Sequence, residues 1–183
     1  MEYNRKVDDA LPLEDVIKPD PELRALLEDI DTSKIRMWLF TNAYVTHGKR
    51  VVKLLQVDDL FEGITYCDYR SDKFYCKPHT DMYDKAMKEA GVKAHSNCYF
   101  VGEFRLLRCK LQGVCVVLIL LADDSYINTK AAYALGWNTV HLLDKADPDP
   151  PHPACKHQIR SLTELRNIFP QFFKSTAASK GQS

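Results

Sequence analysis

Trp38-Leu39-Phe40-Thr41-Asn42-Ala43 sets the pattern that the rest of the chain repeats. A short apolar run, Ile35 to Phe40, breaks off at a threonine and an asparagine. A helical pattern follows at once from Val45 to Val57, with Val51, Val52, Leu54 and Leu55 on its inner side. Buried strand, polar turn and amphipathic helix together form the repeating unit of a parallel sheet. The alternation continues outward in both directions. Upstream, Leu23, Leu26, Leu27 and Ile30 predict a helix from Asp20 to Ile30, with Pro21 tolerated in its first turn. Downstream, Gly63 to Tyr66 reads as a second strand. Pro78 opens a helix through Ala90, striped by Met82, Tyr83, Ala86, Met87 and Ala90, with Gly91 just past its end. Cys98 to Val101 is a third strand, Ser125 to Leu135 a helix closed by Gly136, and Trp137 to Leu142 a fourth strand. The expected architecture is α/β, an open, doubly wound parallel sheet. Proline-rich Asp147 to Pro153 is expected to be a loop, Leu162 to Phe169 a last short helix, and 175–183 a disordered tail.

Composition excludes some functions. Lys plus Arg number 25 and Asp plus Glu 25, so no bulk charge draws the chain to nucleic acid or to a membrane surface. The basic residues are scattered and lack the aromatic platform of a single-strand binder. Cys67, Cys76, Cys98, Cys109, Cys115 and Cys155 form no Cys-x-x-Cys pair, and no secretory signal precedes them. Free thiols in a reducing cytoplasmic or nuclear compartment are expected. His152, Cys155 and His157 match no common zinc spacing.

Residues 102–122 interrupt the alternation. A polar, basic half (Arg105, Arg108, Lys110, Gln112) leads into the wholly apolar run Val114 to Ala122. That run is far short of the roughly 20 residues a bilayer requires, so it reads as an extra strand or as foreign sequence. The second reading has a specific basis. Gly102-Glu103-Phe104 can be encoded by GGTGAGTTC, which contains a splice donor, and Ala122-Asp123 by GCAGAC, which contains an acceptor. Removing the stretch keeps the frame and joins Val101 to Asp123-Asp124-Ser125, a strand ending in paired acids. A retained intron over 102–122 is therefore expected.

Three places carry chemistry. Thr41 ends a buried strand, where open α/β sheets bind their ligands, and its hydroxyl with the following N–H groups can hold a phosphate oxygen. Lys77 precedes a proline, which biases its backbone toward an extended form, so its ammonium can lean over the sheet edge and neutralise a phosphate. Asp123 and Asp124 are adjacent carboxylates. At roughly 5 Å they repel by about 3 kcal/mol at an effective dielectric near 20, which suggests a compensating cation. Mg²⁺ favours such oxygen ligands.

In this order, Leu39 to Ala43, Cys76-Lys77-Pro78-His79 and Asp123-Asp124-Ser125 resemble three of the four active-site motifs of haloacid dehalogenase-like (HAD) phosphatases. Glu2-Tyr3-Asn4, Val7-Asp8-Asp9, Leu11-Pro12-Leu13 and Thr65-Tyr66-Cys67-Asp68-Tyr69 narrow the resemblance to the pyrimidine 5′-nucleotidase branch of fungi and plants. The resemblance implies that Thr41 and Asn42 bind phosphate, that Lys77 steadies phosphate and nucleophile, and that Asp123 and Asp124 hold Mg²⁺. It further implies hydrolysis of nucleoside monophosphates such as UMP and CMP through an aspartyl-phosphate. Small-molecule substrates are expected, with no nucleic acid polymer and no membrane partner.

The fourth motif, an Asp-x-Asp strand bearing nucleophile and general acid/base, is absent. Asp29-Ile30-Asp31 imitates it but follows a helical stripe. It also leaves no room before Ile35 for the crossover that parallel strands need. The expected layout is a cap and linker remnant at 1–19, core at 20–101, the insertion at 102–122, and core again at 123–174, with the nucleophile strand and most of the helical cap missing. Such a chain is expected to be inactive as written and to expose strand edges. Two other readings remain open: a non-catalytic truncated paralogue that binds nucleotide or a protein partner, and a phosphatase for sugar or polyol phosphates.

Overall fold

The computed structural model describes residues 10–102, 126–146 and 148–175 in full, and 115–117 and 119–121 as backbone strands. Its helices are α1 (Leu13–Val16), α2 (Pro21–Glu28), α3 (Val45–Leu54), α4 (Thr80–Glu89), α5 (Tyr126–Ala134) and α6 (Leu165–Ile168). Its strands are β1 (Trp38–Thr41), β2 (Gly63–Tyr66), β3 (Tyr99–Gly102), β4 (Cys115–Val117), β5 (Ile119–Leu121), β6 (Asn138–Leu142) and β7 (His157–Ile159). They form one seven-stranded sheet in the order β2-β1-β4-β5-β3-β6-β7. All run in the same direction except β4, which is antiparallel to both β1 and β5.

Strand alternation assigns the two faces. Neighbouring residues on a strand point to opposite sides. Leu39 and Val101 join Leu26, Leu27 and Val52 in one apolar cluster, so α2 and α3 cover that face. Phe40 and Phe100 join Met82, Tyr83, Ala86 and Ala132 in the other, so α4 and α5 cover the opposite face. Helices on both faces make the sheet doubly wound, as expected. At the centre of the second cluster, Tyr83 is fully buried, meets Phe40 and Trp137 edge-on, and donates its hydroxyl to the Asn128 carbonyl at 2.8 Å.

Helix ends follow local chemistry. The Asp20 carboxylate accepts the N–H groups of Glu22 and Leu23 at 3.0 Å, capping α2. Gly91 and Gly136 take φ of +70° and +85° beyond α4 and α5, a conformation open to glycine at little cost. Helix α4 begins at Thr80, not at Pro78. His79 is extended, and its Nδ1 accepts the Asp81 N–H at 3.3 Å as the cap.

Three further expectations are corrected. Cys67 and Cys76 are not free thiols but a disulfide, with Cα atoms 5.6 Å apart. They lie 9 positions apart with no motif to pair them, and only the fold brings the end of β2 against the approach to α4. The inner edges of β1 and β3 are not left open either. Residues 102–122 contribute β4 and β5, which pair with β1 at Leu39↔Val116 and with β3 at Phe100↔Ile119 and Val101↔Leu120. Their backbone N–H and C=O groups satisfy the edges that a missing strand would expose. Finally, β7 falls where no strand was expected, pairing with β6 from Val140↔His157 to Leu142↔Ile159. The predicted tail residues 176–183 lie outside the described residues.

Candidate functional site

Six parallel strands share one carboxyl edge, and the residues singled out at Thr41, Asn42 and Lys77 meet there. Thr41 is the last residue of β1 and is fully buried. Its Oγ1 accepts the Ala43 N–H at 2.9 Å, turning the chain sharply into α3. Gly48 lets α3 press close. A Cβ there would stand 3.5 Å from the Thr41 methyl and 2.9 Å from Ile64 Cδ1.

Asn42 clasps Lys77. Asn42 Nδ2 donates to the Lys77 carbonyl at 3.0 Å, and the Lys77 N–H donates to Asn42 Oδ1 at 2.8 Å. The Asn42 backbone is tied in turn: its carbonyl accepts the Tyr69 hydroxyl at 2.6 Å. The Lys77–Pro78 peptide is cis.

Lys77 is only 4% exposed. Its Nζ donates to the Phe40 carbonyl at 3.1 Å and lies 4.8 Å from the Phe40 ring centre and 5.9 Å from that of Phe100. Ring faces attract cations, more strongly where water is excluded. A phosphate arriving here would meet a desolvated ammonium, where charge attraction is several times stronger than in water.

The expected metal ligands, Asp123 and Asp124, lie outside the described residues, between the end of β5 and the start of α5. Among the described residues no group of three or more His, Cys, Asp or Glu gathers to hold a metal. Asp29-Ile30-Asp31 takes a structural role. Asp29 pairs with Arg166, Ile30 bridges Phe173, and hydrogen bonds from Lys34 and Ser33 hold the Asp31 carboxyl down at about 2.

Sequence reasoning missed two participants. Tyr69 belongs to an exposed loop and gave no sign that its hydroxyl would reach Asn42. The Cys67–Cys76 bond closes that loop beside Lys77. Among the described residues, no helix is long and apolar enough to cross a membrane.

The profile of the haloacid dehalogenase-like hydrolase family matches residues 1–103, more than half of the chain. The chain belongs to that family. It is 34% identical over 152 residues to Phosphate metabolism protein 8 of Saccharomyces cerevisiae, covering 79% of this chain and 41% of the relative. Two solved structures share the fold. One is a dehalogenase with an intermediate complex, with TM-score 0.59 and 19% identity over 85% of this chain and 57% of that one. The other is the HAD phosphatase of Thermococcus onnurineus, with TM-score 0.56 and 17% identity over 82% of this chain and 57% of that one. The chain thus spans well under two thirds of the length of these relatives.

Proposed function

We propose that this chain carries the phosphate-binding part of a Mg²⁺-dependent phosphomonoester hydrolase of the pyrimidine 5′-nucleotidase type, acting on nucleoside monophosphates such as UMP and CMP. The observation that supports the reading best is the Asn42–Lys77 clasp at the carboxyl edge of the sheet. It fixes a desolvated ammonium beside the Thr41 turn. The relative's name, which refers to phosphate metabolism, agrees with it.

In this reading the Lys77 ammonium neutralises the phosphate, and the Thr41 hydroxyl with the N–H groups of the turn orients its oxygens. Asn42 holds Lys77 in place. Asp123 and Asp124 would hold Mg²⁺, which would supply further charge neutralisation. No residue of the chain supplies the aspartate nucleophile, and positioning alone does not replace it. The 183-residue chain expressed alone is expected to bind UMP but not to hydrolyse it.

Calorimetric titration with UMP, CMP and a sugar phosphate, alongside an assay of phosphate release in Mg²⁺, tests both statements. Binding of UMP that Lys77→Met abolishes is the expected result. Binding indifferent to Lys77→Met would remove the site assignment, and turnover well above the variant would refute inactivity. Preference for the sugar phosphate would move the reading to that substrate class.

A non-catalytic role is favoured by one observation: among the described residues, β4 and β5 fill the sheet between β1 and β3. The proposal keeps 102–122 as a retained intron. Sequencing transcripts across the codons for Val101 to Asp123 decides between the two. A spliced message with an upstream Asp-x-Asp supports the hydrolase, and a message that matches the chain supports the binding module.

A further inference from the structure

The four cysteines whose side chains are among the described residues divide by environment. Cys98 and Cys155 are buried thiols, and burial pushes both upward in pKa, Cys98 to about 12. Such thiols are poor nucleophiles at neutral pH. Cys67 and Cys76 are bonded to each other. Cys67 is fully buried at the end of β2, whereas Cys76 is only half-buried. Residues 69–75 between them are all exposed.

The bond closes a circuit through the phosphate site. Cys76 is the residue before Lys77. Lys77 is held at its N–H and carbonyl by Asn42, whose own carbonyl accepts the hydroxyl of Tyr69. Tyr69 stands two residues beyond Cys67, and the disulfide returns the path to Cys76. Opening the bond removes the covalent side of this circuit and leaves Lys77 tied through Asn42. The reduced state has a partner ready, because Cys67 Sγ lies 3.3 Å from the Tyr75 carbonyl, which can accept the S–H once it forms.

We propose that Cys67 and Cys76 are a reversible redox pair whose closure fixes Lys77 and strengthens phosphate binding at this site. The inference rests on the reading of Lys77 as a phosphate ligand. The chemistry is exchange with a low-molecular-weight thiol. Its thiolate attacks the more accessible Cys76 Sγ, the Cys67–Cys76 bond breaks, and Cys67 leaves as a thiolate that takes a proton from solvent. A second thiolate attacks the mixed disulfide and releases Cys76. Two thiols are oxidised to one disulfide as the protein disulfide is reduced to two thiols.

The test equilibrates the folded 183-residue chain in glutathione buffers of graded ratio, traps thiols by alkylation and maps them by mass spectrometry. Calorimetry then measures the affinity of each form for inorganic phosphate. Cys67 and Cys76 are expected to change together in one transition. The reduced form is expected to bind phosphate about fivefold or more weakly, the low end of common coupling between sites. Reciprocity requires saturating phosphate to shift the redox midpoint by the same factor in favour of the disulfide. Cys76→Ser is expected to bind like the reduced form at every ratio.

Failure of the two cysteines to bond in any buffer overturns the pair. Equal phosphate affinity in both forms, with binding still lost in Lys77→Met, overturns the switch and leaves the phosphate site standing. Binding in neither form, or binding indifferent to Lys77→Met, overturns both.

Discussion

Asn42 and Lys77 satisfy each other's hydrogen-bonding groups in both directions: the Asn42 amide donates to the Lys77 carbonyl at 3.0 Å and accepts the Lys77 N–H at 2.8 Å. Asn42→Ala leaves a part-buried donor and acceptor without this partner, which costs about 1–3 kcal/mol for each group that water cannot reach. Reduced stability and weakened phosphate binding are expected together. Asn42→Asp keeps the acceptor but sets an anionic oxygen against the Lys77 carbonyl and adds negative charge beside the phosphate, so its phosphate affinity should fall at least as low as that of Asn42→Ala. Denaturant unfolding and calorimetry on the three proteins check the order. Full phosphate affinity in Asn42→Ala would show that the clasp does not position the lysine.

Gly63 lies under the Trp38 ring, its register partner across β1 and β2. A Cβ at Gly63 would sit 2.2 Å from Trp38 Cη2. The indole is also held by its own Nε1, which donates to Thr65 Oγ1 at 3.0 Å, while the Thr65 hydroxyl donates to Glu89 at 2.5 Å. Gly63→Ala must displace the ring or the strand, and overpacking of this kind costs about 1–3 kcal/mol. A lowered urea midpoint with an unchanged slope is expected. No change would mean the ring swings aside freely.

His141 is buried on β6, and desolvation lowers its pKa below the ordinary histidine value. The folded state therefore binds fewer protons than the unfolded state between the two pKa values, so stability rises with pH through that window. Acidification from neutral pH through about 6.5, the ordinary histidine value, should begin to destabilise the fold, and the loss should continue until the folded pKa is passed. His157 is lowered by burial as well, then by Lys156, and acts in the same direction. His141→Gln should flatten the acid limb of a stability-against-pH curve. An unaltered limb would assign it to other groups.

Asp29 and Asp31 tie down the surface of the fold through Arg166 and Lys34. Asp29→Asn and Asp31→Asn are expected to leave phosphate affinity unchanged and stability little changed, as for exposed ion pairs generally. A large loss of affinity in either would reopen the rejected Asp-x-Asp reading.

Most of the strand and helix order was legible because each element carried its own period and punctuation. Gly63 to Tyr66 opens after Glu62 and came out at its true limits. Thr41 and Lys77 were readable as edge residues because one ends an apolar run and the other precedes a proline. What Asn42 does was not readable, since its partner is 35 positions away. The apolar run from Val114 to Ala122 has no internal Gly or Pro to mark a reversal, so nothing in it announced two antiparallel strands. His157-Gln158-Ile159 is too short and too polar to show alternation, and only the open edge of β6 makes it a strand.

Among the described residues β1 and β3 are never direct partners, and backbone pairing between the two halves of the sheet runs through β4 and β5. Lys77 rests against a ring from each half, Phe40 on β1 and Phe100 on β3. Its ammonium is thus a gauge of the seam: whatever occupies the space between those strands sets the spread of the two rings, and with it the point in space where the positive charge is offered.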